Sequence, residues 1–516
     1  MSAILDLTAR RTAQAIAAGE TSASETVEAR IARIEAVNPK LNAVIFKRYD
    51  EARAEANAVD AKRKSGVALG PLAGVPVTLK DSIDFKGAPS TFGLPSRANA
   101  FAPEDETHAA RLREAGAIVL GKTNVAQMLL FLESDNPLYG RVNNPWNLDR
   151  SPGGSSGGEA AIISARGSTL GLGTDLGGSV RNPAAVCGIA SIKPTVGRCP
   201  DVGRFSYPLG QTVVESQVGV IARCVEDVAL GLEVINGGAN PPSDRPRPLL
   251  DFTKVDLAKL KIGYYESDGS LSPCPAARRA VREAAAALSA AGAGVFAWTP
   301  PRVNEAIALY YGAMTSGGRS FKRPLGANKA DPRVAALLRF GAMKQSSARH
   351  LALLLRTLGQ KSLAAVVENF GYRSTEAYWD LVEQAAAYRA DFAKAMDAAN
   401  KMDLILLPAN PLPALTHGAS ADLGTIGGYT ILFNLLGLPA GVVPFTRVAA
   451  GEESDRLRSR DRVEATARNV ELGSAGLPIS VQIAGRPWRE HTVFAAMAAI
   501  ETAARKSSSF PLAPEI

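Results

Sequence analysis

The chain has 516 residues, 46% hydrophobic and 21% charged, the balance of a soluble globular protein with enough material for a large core. Its formal net charge of +8 is a mild excess for 54.0 kDa and by itself assigns neither a nucleic acid nor a membrane as partner. Four cysteines (Cys187, Cys199, Cys224, Cys274) form no CxxC pair, and four histidines (His108, His350, His417, His491) fall in no metal-ligand spacing, so neither a disulfide scaffold, a metal nor a cofactor is expected.

The opening MSAILDLTARR lacks the basic and apolar regions of a secretory signal, and no apolar run reaches the ~18 residues of a spanning helix; a reducing cytoplasm is expected. Residues 1–60 are expected to be helices packed on the core. Within them Ser22 and Glu25 stand at capping-box spacing, and Val27, Ile31 and Ile34 recur on one helical face. From about residue 70 short apolar strands alternate with Gly- and Pro-rich turns: 75–80 reads as a strand, 106–115 as a helix and 117–120 as the next strand. This alternation predicts an α/β sheet with helices on both faces, and the length allows either three domains or one large one. Residues 145–200 are dense in Gly, Ser and Pro but nearly uncharged, which reads as a buried, tightly turned core rather than a linker.

Residues 332–367 carry Arg333, Arg339, Lys344, Arg349, Arg356 and Lys361, no acid, and interleaved leucines. They read either as a pair of surface helices or as an amphipathic cap. Residues 451–471, of mixed charge, read as a solvated excursion.

Gly116–Thr123 (GAIVLGKT) satisfies the phosphate-loop pattern, but its middle is an apolar strand whose amides belong to a sheet. Gly153–Gly157 (GGSSG) satisfies the nucleophile-elbow pattern, and His417 or His491 would supply the base of a Ser-Asp-His α/β-hydrolase; an elbow needs a strand before it, and NPWNLDRSP is a turn. Thr174–Ser179 (TDLGGS) places two glycines before a serine, a turn whose amides can converge on an oxyanion. Lys80 ends an apolar strand. Buried there, its amine would fall from ~10.4 toward the ~7 that a base needs, a change worth ~4 kcal/mol.

Three segments resemble the amidase-signature family: PLAGVPVTLKDSID (71–84), SPGGSSGGEAA (151–161) and GLGTDLGGSVRNPAAVCGIASIKPT (171–195). TNVAQ with NPLYGRVNNPW (123–146), KIGYYESDGSLSPCPAARRAV (261–281) and YTILFNLLGLPAGVVPFT (429–446) resemble its fatty-acid-amide-hydrolase branch. The resemblance implies a single large domain over 61–516 around a mixed sheet and a serine amidohydrolase acting on a small-molecule amide, with esters and carbamates open. It implies Ser179 as nucleophile, Ser155 in a cis peptide as bridge, and Lys80 as base. It also implies the amides of Leu176, Gly177, Gly178 and Ser179 as oxyanion hole, Leu129 on the substrate wall, and an ion pair of Asp175 with Arg181. It makes 332–367 a candidate cap over an acyl channel. Peripheral membrane contact and a homodimer stay open, and no nucleic-acid partner is expected. The chief alternative within the family is the glutaminase component of a tRNA-dependent amidotransferase. An N-terminal membrane span of the animal enzymes is not among the matched features.

Overall fold

Among the described residues of the computed structural model (2–201, 211–237 and 248–516), eleven strands form one mixed sheet. In chain order they are β1 (Val44–Lys47), β2 (Pro76–Lys80), β3 (Ile118–Thr123), β4 (Leu170–Asp175), β5 (Ala190–Lys193), β6 (Gln217–Ala222), β7 (Lys261–Tyr264), β8 (Gly294–Ala297), β9 (Leu404–Pro408), β10 (Ala440–Arg447) and β11 (Pro478–Gly485). In space the order is β1-β3-β2-β4-β6-β5-β10-β11-β9-β7-β8. Parallel pairs lie toward the two flanks, β3–β2–β4 and β9–β7–β8, and the strands between run antiparallel. Every residue of β2, β3, β4, β6, β9 and β11 is buried, because helices cover both faces. The expected α/β architecture is present.

Ser22 caps the helix Ala23–Leu41: its Oγ accepts from the Glu25 amide at 3.0 Å, and Glu25 Oε2 accepts from the Ser22 amide at 2.8 Å. Val27, Ile31 and Ile34 are buried on its inner face. Asn42, at φ 54°, ends the helix and turns the chain into β1, which pairs with β3. The first sixty residues therefore supply an edge strand as well as helices. The predicted 106–115 helix is Thr107–Glu114, with Glu106 as its cap.

Residues 332–367 form three helices rather than a pair: Pro332–Gly341, Gln345–Thr357 and Lys361–Val367. Gly359, at φ 76°, separates the second from the third. Leu351 and Leu355 pack toward Val366, Val367 and Phe370, whereas Leu353, Leu354 and Leu358 are 60%, 55% and 63% exposed. The 451–471 stretch is a solvated excursion only in its first half. Arg462–Glu471 is a helix that buries Val463, Ala467 and Val470, an apolar stripe hidden by the charge around it. Among the described residues no helix is long and apolar enough to cross a membrane.

Candidate active site

β2, third from one edge of the sheet, carries Lys80 as its last residue, fully buried. Its Nζ lies 2.8 Å from Ser155 Oγ, 2.9 Å from Thr174 Oγ1 and 3.3 Å from Thr174 O. Burial pulls the amine down to about 7, against the opposing pull of Asp201, Asp175, Asp81 and Glu159. A neutral amine has two N–H bonds and one lone pair. Thr174 supplies an acceptor for each N–H, which leaves the lone pair to accept from the Ser155 hydroxyl.

Ser155 is buried in a turn whose Gly154–Ser155 peptide is cis. Ser134 braces that turn: its Oγ accepts from the Gly157 amide at 2.8 Å and lies 3.1 and 3.2 Å from the carbonyls of Gly153 and Ser155. The helix Gly157–Ser164 follows directly, but no strand precedes, so the elbow pattern is not realised. The partner at Ser155 Oγ is Lys80 and not a histidine. His417 bonds the Leu148 carbonyl at 3.2 Å, and His491 lies on the helix Glu490–Ala504. The phosphate-loop pattern is the strand β3, and its Lys122 is buried, donating to the carbonyls of Asp81 at 2.9 Å and Ile83 at 2.6 Å.

The turn carrying Ser179 follows β4 and is held against the first serine turn by the Ser156 amide, which donates to Ser179 O at 3.2 Å. Beneath it Asp175 and Arg181 form the expected ion pair, wholly buried, with Nε and Nη2 each 3.0 Å from a carboxylate oxygen. Burial raises Asp175, but the Arg181 charge and hydrogen bonds from Arg181 and Asn434 outweigh it and hold the carboxyl far below its usual range. Arg181 also donates to Thr430 O at 3.0 Å and to Gln482 Oε1 at 2.8 Å, and Thr430 Oγ1 donates to Gly177 O at 2.7 Å. Gly178 sits at φ 117°, and a Cβ there would collide with Thr430, so only glycine fits. Its amide donates to Asp175 Oδ1 at 2.7 Å. The expected oxyanion donors therefore narrow to the amides of Leu176, Gly177 and Ser179. Thr430, Asn434 and Gln482 were not singled out from the sequence. The four-residue spacing of Thr430 and Asn434 within YTILFNLLG was the available signal, since it puts two polar groups on one face of an apolar helix.

A cavity of about 300 Å3 opens over Leu176, Gly177 and Ser179. Leu129 lies on its wall, and Tyr310, Phe340 and Phe370 give it an aromatic lining. The helices of 332–367 contribute Arg333, Leu337 and Phe340 from the first and Val366 and Val367 from the third, so this stretch supplies part of the cavity wall. Arg333 is bound to Asp331 and Asp135 at 2.8 Å each and to Glu133 at 3.3 Å. Among the described residues no three His, Cys, Asp or Glu side chains are grouped to hold a metal ion.

The family model described as Amidase matches residues 25–494. The chain is 35% identical over 441 residues to fatty-acid amide hydrolase 1 of Sus scrofa, covering 84% of this chain and 76% of that one. It is 34% identical over 472 residues to a glutamyl-tRNA(Gln) amidotransferase subunit from Synechococcus sp. (strain CC9605), covering 86% and 91%. A solved structure of a fatty acid amide hydrolase superposes with a TM-score of 0.83 at 26% identity, over 97% of this chain and 85% of that one.

Thr174→Val should keep the fold and the carbonyl contact but remove the Oγ1 acceptor, letting the Lys80 lone pair turn away from Ser155. We expect kcat to fall about 10- to 100-fold with KM little changed, a barrier increase of ~1.4–2.7 kcal/mol. Steady-state kinetics on a well-folded variant check this, and unchanged kcat would remove Thr174 from the account.

Proposed function

Because the chain belongs to the Amidase family of amide-hydrolysing enzymes, we propose that it cleaves acyl amides bearing an apolar substituent, through an acyl-enzyme on Ser179 with Ser155 and Lys80 as proton relay. The observation that carries the relay is the buried Lys80 amine 2.8 Å from Ser155 Oγ. Neutral Lys80 takes the Ser155 proton as Ser155 takes that of Ser179, and Ser179 Oγ bonds to the amide carbonyl carbon. Negative charge moves onto the carbonyl oxygen, opposite the amides of Leu176, Gly177 and Ser179. The proton returns along the same path to the nitrogen, the C–N bond breaks and the amine leaves. Water then gives a proton to the relay as its oxygen attacks the ester carbon, and the relay returns that proton to Ser179 Oγ as the acyl C–O bond breaks and the acid leaves. Nothing in these steps requires nitrogen as the leaving atom, so esters and carbamates fit the same relay.

The cavity supports an apolar substituent. Its one lining cation among the described residues, Arg333, is already committed to three carboxylates. Glutamine, the substrate of the glutaminase alternative, carries an α-carboxylate that would need such a cation. Ser179→Ala should abolish both turnover and fluorophosphonate labelling while leaving the thermal melt nearly unchanged. The wild type should use an apolar acyl amide with kcat/KM at least ~100-fold above glutamine, the scale of discrimination that an unpaired buried charge provides. Comparable use of glutamine would favour the amidotransferase reading.

A second reading concerns the cap. Exposed Leu353, Leu354 and Leu358 share the middle helix and its end with Arg349 and Arg356, an amphipathic surface that supports peripheral membrane contact. Anionic liposomes should sediment the wild type more than neutral ones do. A variant with Arg339, Lys344 and Arg356 each changed to Glu should lose that difference, at ~1 kcal/mol per basic residue engaged. Equal, negligible binding by both proteins would leave the cap as a roof only.

A further inference from the structure

Ser420 lines the cavity and is 3% exposed, yet its Oγ has no hydrogen-bond partner among the described residues. A buried hydroxyl left unpaired is destabilising, and it persists where something else satisfies it. The side chain does not belong to a loosely held loop. Ser420 sits in the short turn Ala419–Ala421, where Glu133 Oε1 accepts from its amide and Glu133 Oε2 from that of Gly418, both at 2.8 Å. Glu133 is itself 2% exposed and paired with Arg333, so charge-assisted bonds tie the turn to the first cap helix. Leu132, Leu363 and Val463, which also line the cavity, are apolar.

The charges around this wall have one sign in excess. Glu133, Asp135 and Asp331 converge on Arg333, and Asp422, which lines the cavity, pairs with Arg462 at 2.7 Å. Four carboxylates thus face two guanidiniums. An anionic ligand group arriving here would meet carboxylates and find each guanidinium taken, whereas a neutral donor meets a hydroxyl able to accept and, by rotating, to donate.

We infer that Ser420 is a specificity-determining residue, whose hydroxyl binds a neutral hydrogen-bonding end group, a hydroxyl, on the substituent that fills the cavity. The carboxylates around it turn away an anionic end. That the ligand is a substrate rests on the amide-hydrolase reading of the cavity; the binding preference does not.

The experiment uses Ser179→Ala protein, so that binding is read without turnover. Calorimetry measures Kd for linear acyl amides of graded length ending in methyl, hydroxyl or carboxylate. At the length that reaches Ser420 the hydroxyl should bind about fivefold tighter than the methyl, the scale of one net hydrogen bond, and the carboxylate more weakly than either. In Ser179→Ala/Ser420→Ala the hydroxyl advantage should vanish while the methyl-ended amide binds as before. Ser420→Ala alone should melt at the same temperature or higher, because it removes an unpaired group. The inference is overturned by a hydroxyl preference that survives the substitution, by none at any length, by tighter carboxylate binding, or by a lowered melt. Failure of the functional reading shows separately, as turnover persisting in Ser179→Ala.

Discussion

The site depends on a lysine amine being taken out of water without a counter-ion. Among the described residues no carboxylate pairs with Lys80, and its contacts are two oxygens of Thr174 and the hydroxyl of Ser155. Desolvation without pairing brings the amine to about 7, which suits the base that the proposed relay requires. A few residues away the opposite solution is used. Asp175 and Arg181 are equally buried but neutralise each other, so both stay charged and serve to hold the Ser179 turn. In the proposed relay the unpaired amine is the group that reacts, and the ion pair is the group that stays put.

Burial alone does not make a base. Lys122 and Lys193 are also fully buried, and desolvation takes them to about 8 and about 7. Lys122 spends its amine on backbone carbonyls of the loop after β2, and Lys193 donates to the Pro194 carbonyl at 2.7 Å. Among the described residues neither hydrogen-bonds a hydroxyl. What sets Lys80 apart is the geometry supplied by β4: Thr174 occupies the two N–H directions and the first serine turn fills the third.

Much of this was legible in the sequence because it is local. The Lys80 strand end, the GGSSG turn and TDLGGS each carry their geometry within a few residues, and the pairing of Asp175 with Arg181 was implied by the resemblance to the amidase-signature family. The supports that come from far along the chain were not legible. Thr430, Asn434 and Gln482 reach the Ser179 turn from more than two hundred residues away, and only the sheet and the helix Gly428–Leu435 bring them there. The ties of Arg333 to Glu133 and Asp135 and of Glu133 to Ser420 are equally non-local, so a basic, leucine-rich stretch could be suspected as a cap without revealing what fastens it. β1 and the helix Arg462–Glu471 were missed for another reason: a four-residue edge strand and a narrow apolar stripe among charges are weak patterns.

The central claim, that neutral Lys80 drives attack by Ser179, is tested most directly by the pH dependence of Ser179 phosphonylation with a neutral fluorophosphonate under single-turnover conditions. The rate should rise with a single titration centred near 7 as Lys80 loses its proton, then stay level on the alkaline side. The midpoint should be unmoved when His108, His350, His417 and His491 are each replaced. A rate independent of pH between ~5 and ~9, where an unperturbed lysine would stay protonated, would contradict it. So would a midpoint that disappears with any one histidine.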